Sequence, residues 1–137
     1  MDLRFSNASA TDFDAEMYLR ILVAIAKADP DNGQPEFDFV RRQARHLNLD
    51  YTHFMATTDK TFFIEKQKVS RRTALTILKD AILLASLDGN FSLPEKQRVY
   101  SYAEKLDISR KDVDVLENLI DGYRKLNRQW QKLIEQR

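Results

Sequence analysis

The chain contains no cysteine among its 137 residues. Disulfide frameworks, thiolate nucleophiles and thiolate metal sites are excluded together. Histidine occurs only at His46 and His53. Their separation of seven is not the i, i+4 spacing of a helical metal pair, and no HExxH, P-loop or GxSxG pattern is present. Both are read as surface residues, no catalytic residue is assigned, and the expected protein is not an enzyme. Three glycines and three prolines leave little turn material. The longest apolar runs, 21–26 and 81–85, fall far short of the roughly 18–20 residues of a membrane span. The opening Met1-Asp-Leu-Arg-Phe-Ser-Asn-Ala-Ser has no apolar leader core, so the expectation is a cytoplasmic chain with no membrane partner.

The formal charge of +1 gives no global attraction to nucleic acid or anionic lipid. Locally the charge is uneven: residues 1–38 carry a net −5, 39–72 a net +5, 73–120 a net −2 and 121–137 a net +3. Arg41, Arg42 and Arg45, followed by a basic linker around Phe62 and Phe63, have the residue types that contact phosphates and stack on bases. A near-neutral chain with its aromatics at helical spacing is better explained by a solvated basic face and buried rings, so nucleic acid is not the expected partner.

The apolar pattern repeats at helical spacing, and the expected fold class is all-α. A first helix is expected from an N-cap at Thr11 or Asp12 to about Ala28, and a nearly all-apolar counterpart from Ser70 to about Leu87, central to a helical bundle. Two stretches match at an offset of 59 residues without a gap. Ala26-Lys-Ala-Asp29-Pro-Asp-Asn-Gly33-Gln-Pro35-Glu36 lies over Ala85-Ser-Leu-Asp88-Gly-Asn-Phe-Ser92-Leu-Pro94-Glu95, and the match continues through Val40/Val99, Ala44/Ala103 and Leu47/Leu106. Repetition at fixed spacing implies two pseudo-equivalent three-helix units, about 13–58 and 72–120, within one domain covering 1–137. Ser92-Leu-Pro-Glu95 and Ser109-Arg-Lys-Asp112 read as capping boxes, while Gly33 is the weaker cap of the first copy.

The two interhelical loops concentrate carboxylates. An aspartate just after a helix C-terminus faces the negative end of the macrodipole, and Asp29 and Asp88 both sit there. Their structural role would be an Asx-turn, with Glu36 and Glu95 completing helix caps. The same four residues, Asp29, Glu36, Asp88 and Glu95, are also the candidate ligands of a divalent cation, which binds through oxygen. Neither loop is an EF-hand, because glycine falls at position five rather than six counted from Asp29, leucine falls at six counted from Asp88, and valine is twelfth in both. No other cofactor is implied.

The second loop, Asp88-Gly89-Asn90-Phe91-Ser92-Leu93-Pro94-Glu95, resembles the Asp-Gly-x-hydrophobic-Ser-x-x-Glu signature of the TerB-like tellurite-resistance family, which includes the N-terminal domain of DnaJ-like membrane chaperones. The resemblance covers roughly residues 13–120. It implies a small cytoplasmic helical module associated with stress or tellurite resistance, without catalysis, acting on protein partners and sometimes proposed to bind metal at its acidic positions. Pro30 and Asn32 stand where the family has glycine and a hydrophobic residue, so the first loop is expected to follow a different path.

The last helix is expected to reach residue 137. Leu119, Tyr123, Leu126, Trp130 and Leu133 recur at four-three spacing, an a/d seam of about two heptads interrupted by Gly122, a candidate bend. Part of this seam is expected to pack on the domain. Its end, Trp130 and Leu133 with the basic fringe Arg124 and Arg128, is the candidate surface for a protein partner or self-association. The alternative is that Trp130 merely closes the core.

Overall fold

The computed structural model describes residues 11–136. The leader reading on Met1–Ser9 and residue 137 lie outside them, and the last helix ends at Glu135 under an extended Gln136 rather than running on to 137 as expected. Among the described residues the fold is all-helical: α1 (Ala15–Ala28), α2 (Gln34–His46), α3 (Tyr51–Thr57), α4 (Arg71–Ala85), α5 (Leu93–Lys105) and α6 (Arg110–Glu135). No described helix is long and apolar enough to cross a membrane.

Helix starts follow from side-chain acceptors. Asp14, Asp50, Ser70, Ser92 and Ser109 each accept a hydrogen bond from the backbone N–H three residues on. This satisfies one of the donors that a helix N-terminus leaves open. The first helix thus begins at Ala15 under Asp14, later than the Thr11 or Asp12 cap expected. Asp12 is drawn away, since its carboxylate pairs with Arg72 at 2.7 Å and its carbonyl accepts from Ser70 Oγ. Ser109 caps α6, but Asp112 completes no box; its carboxylate turns to Arg71 at 3.0 Å instead. In α2, Glu36 supplies its half of the box by accepting from the Gly33 N–H at 3.2 Å, and glycine has no hydroxyl to supply the other half.

α4 is buried on most of its circumference, with Ala74, Ile77, Leu78, Ala81, Ile82 and Leu84 in the core. It packs against α1 on one side and α5 and α6 on the other, while α2 and α3 gather on α1 and on each other. The Asp14 N–H donates to Thr73 Oγ1 at 2.9 Å, joining the starts of α1 and α4. Their opposite ends border one depression, so the two helices run side by side in the same direction. Phe63 is buried and Phe62 packs against the core, which withdraws from solvent the rings a base would stack on.

Several local geometries recur at the offset of the sequence match. α2 and α5 both span 13 residues and start 59 apart, as do the starts of α3 and α6. Asn48 and Asp107 both have φ of 59°, the left-handed conformation that asparagine and aspartate tolerate best after glycine. The Leu49 N–H reaches Ala44 O at 2.9 Å and the Ile108 N–H reaches Ala103 O at 2.8 Å, while Asn48 and Asp107 donate to Arg45 and Glu104. Each pair of bonds is the Schellman closure, which satisfies carbonyls at a helix end and turns the chain sharply into the next helix.

Candidate functional site

Parallel α1 and α4 bring two like helix ends together, and the loops that follow them share a depression of about 400 Å³ lined by Asp29, Asp31, Glu36, Asp88, Glu95 and Arg98 among others. All four sequence-derived cation candidates are therefore at one place. Its electrostatics are mixed by construction. The C-terminal ends of α1 and α4 present negative dipole ends, and the N-termini of α2 and α5, which begin at the same loops, present positive ones.

Each carboxylate is engaged by its own loop. Asp29 Oδ1 accepts from the Asp31 N–H at 2.9 Å and Asp88 Oδ1 from the Asn90 N–H at 3.0 Å. These are Asx-turns, which redirect the chain into the following helix. Glu36 Oε2 accepts from the Gly33 N–H and Glu95 Oε1 from the Ser92 N–H at 2.9 Å. Arg98 of α5 reaches across to Asp29 Oδ2 at 3.0 Å and so offsets a carboxylate placed against the α1 dipole. Asp88, Glu36 and Glu95 also border the depression. Among the described residues no group of three or more His, Asp or Glu side chains gathers closely enough to hold a metal ion.

The loop paths differ as the substitutions require. Gly89 has φ of 90°, which proline at position 30 cannot adopt because its ring holds φ near −65°. Asn32 uses its side-chain amide to cap the Ala26 carbonyl at 2.9 Å, where Phe91 in the second loop packs against the core. Beneath the depression a void of about 20 Å³, bordered by Ile25, Ala81, Val99 and Tyr102, has room for about one water.

No protein-family model, no curated protein and no solved structure matches the chain. The likeness to the TerB-like family rests on the loop residues themselves.

The second candidate surface is the end of α6. Val113, Leu116 and Ile120 fasten its first half to the domain, and from Arg128 to Gln136 every residue is exposed. The a/d seam does not pack as expected. Only Tyr123 is half-buried; Leu119 is 60% exposed, Leu133 62%, and Leu126 and Trp130 about half. A 3.6-residue period gives α6 two apolar stripes, and the domain takes the one through Ile120. Trp130 thus does not close the core. The helix remains regular through Gly122. Arg124 is not a free fringe residue: its guanidinium donates to the Ser86 carbonyl at 3.3 Å and to Ser86 Oγ at 3.0 Å. A cation at the last carbonyls of α4 is favourable there. Arg128 is exposed beside the seam's end.

Sequence reasoning missed a buried polar cluster. Tyr18 (2% exposed) donates its hydroxyl to Asp80 Oδ2 at 2.6 Å, and Lys79 Nζ lies 3.3 Å from Asp80 Oδ1, with Lys79 and Asp80 at 4% and 3% exposure. Burial pushes the Asp80 carboxyl above the ordinary carboxylate range, with Lys79 and the Tyr18 hydroxyl pulling the other way. Burial likewise pushes the Tyr18 phenol well up. The signal was present, since Lys79-Asp80 interrupts a helix otherwise apolar almost all round. Both histidines are exposed.

Proposed function

We propose that the protein is a non-enzymatic interaction module of TerB-like kind, built from two copies of a three-helix unit and associated with stress or tellurite resistance, and that it binds through the protruding half of α6. The observation that carries this reading is the apolar stripe through Leu119, Leu126, Trp130 and Leu133, which the fold leaves in solvent. Contiguous exposed apolar residues on a helix are characteristic of docking surfaces. The duplicated unit is supported by the shared Schellman closures and helix starts at an offset of 59. A photo-reactive residue placed at Trp130 or Leu133 in cells should cross-link to protein far more than one placed at exposed Glu104 on α5. Equal or absent cross-linking at all three positions refutes the reading.

A second reading, a divalent-cation-binding protein, rests on Asp29, Glu36, Asp88 and Glu95 lining one depression, where they do not gather closely enough to make a ready-made site. Calorimetric titration with calcium, magnesium and zinc tests it: saturable heat that Asp88→Ala removes supports a site, and no heat at millimolar metal excludes one.

A further inference from the structure

On the reading of α6 as the binding element, we infer that its partner is a second copy of this chain, paired antiparallel along α6 through Val115, Leu119, Leu126, Trp130 and Leu133, with the two helices crossing near Gly122.

The stripe is separate from the one the domain uses. At 3.6 residues per turn it runs about 120° around the helix from the line through Val113, Leu116 and Ile120. It begins over the body of the domain at Val115 and continues into the protruding end, a straight line of about 27 Å. With Gly122 included its spacing is four, three, four, four, three, and it is narrow. Uncharged Asn118 and Gln129 border it on one flank, Lys125 and Lys132 lie about 100–120° around the helix, and Arg128 projects on the opposite side. A narrow seam without like charges suits a helix partner; a helix lying in a lipid surface needs a broad apolar face.

Gly122 supplies the independent observation. Glycine is disfavoured in a helix interior, yet a Cβ built there would meet nothing within 4 Å. Among the described residues no contact asks for the gap. A close-approaching second helix does, because the missing side chain leaves a hole on the seam. Antiparallel pairing centred between Gly122 and Leu126 places Leu126 of each copy over the Gly122 gap of the other. The same register sets Val115 against Leu133 and brings Leu119 within one residue of Trp130. Every contact then occurs twice, which is the self-complementarity that a closed two-fold interface requires. Five large apolar side chains about half exposed present on the order of 500 Å² per copy, so a pair covers on the order of 1,000 Å², the lower bound for a specific interface. The dimer is accordingly expected to be of micromolar rather than nanomolar affinity.

The test uses the full chain. Sedimentation equilibrium of the wild type should show a concentration-dependent monomer–dimer equilibrium, and Leu126→Glu, an exposed position in the monomer, should weaken it at least about tenfold with an unchanged circular dichroism spectrum. Because the chain has no native cysteine, the orientation can be read directly. A mixture of Val115→Cys and Leu133→Cys proteins should oxidise to the mixed disulfide in preference to either homodimer. A wild type that stays monomeric at high micromolar concentration overturns the proposal, as does preferential Leu133→Cys homodimer, which means parallel pairing. Binding of a monomeric wild type to anionic vesicles, lost in Leu126→Glu, also overturns it in favour of a lipid surface. If self-association fails while Trp130 still cross-links to another protein, only this inference falls and the interaction-module reading stands.

Discussion

Asp80 is the residue whose loss should cost this fold most. Its carboxylate sits between the Tyr18 hydroxyl of α1 and the Lys79 ammonium of its own helix, all three shut off from water. Asp80→Ala removes the acceptor and leaves a buried cation without its carboxylate, a change that costs about 3–5 kcal/mol. The stranded Tyr18 hydroxyl adds about 1–3 kcal/mol. Against a total stability of about 5–15 kcal/mol for an ordinary domain, the variant should be marginally folded. The opposite is expected when the whole cluster is replaced. Tyr18→Phe/Lys79→Met/Asp80→Leu leaves no desolvated polar atom of the three and should lie within about 2 kcal/mol of wild type, because a buried ion pair contributes little net energy over apolar side chains of similar size. Urea denaturation followed by far-ultraviolet circular dichroism measures both, provided the m-value is unchanged. A loss below about 1 kcal/mol for Asp80→Ala, or a triple variant as unstable as the single one, would show that the cluster does not bear on stability in this way.

The same carboxyl sets a pH signature. Its folded value lies above the unfolded one, so its ionisation costs the folded state stability as pH rises from the unfolded value through the folded one; relative to Asp80→Asn, wild type should weaken over that window in denaturation series, and an unchanging difference refutes this. Asp112, held low by the Arg71 guanidinium and Ser109, acts in the other sense, losing its contribution as pH falls through its folded value. Ile82→Ala, at the α4 centre, should cost about 2–5 kcal/mol in chemical denaturation. Ser92→Ala removes the α5 cap and should cost about 1 kcal/mol, equally with EDTA or calcium unless the depression binds metal. Truncation after Asn127 removes, among the described residues, only exposed ones and should leave the melting temperature within a few degrees of the full chain; unfolding would place the end of α6 in the core.

The helical class, the caps at Gly33, Ser70, Ser92 and Ser109 and the 59-residue correspondence were legible in the chain because they depend on local chemistry. A hydroxyl or carboxylate three residues before an amide caps a helix whatever surrounds it, and Asp29 and Asp88 form Asx-turns from atoms two residues apart. The departures arose where a distant group competed for a local one. Asp12 left its capping role for Arg72, and Asp112 left the capping box for Arg71. Neither arginine is near in sequence.

Tertiary structure alone decided which apolar stripe of α6 is buried. Leu119, Leu126 and Leu133 are as hydrophobic as Leu116 and Ile120 and keep equally regular spacing. A helix has about 360° of surface and the domain covers only the sector facing α4 and α5, so composition could not say which side turns inward. The same holds for the acidic loops. Each carboxylate's turn or cap was readable from its neighbours, but their meeting in one depression depends on α1 and α4 running parallel, a relation between segments about sixty residues apart. The pairing of Tyr18 with Asp80 is of that kind too. The sequence by itself determined the elements and most of their ends, since those energies are local; packing determined which faces are hidden, since that energy belongs to pairs of elements.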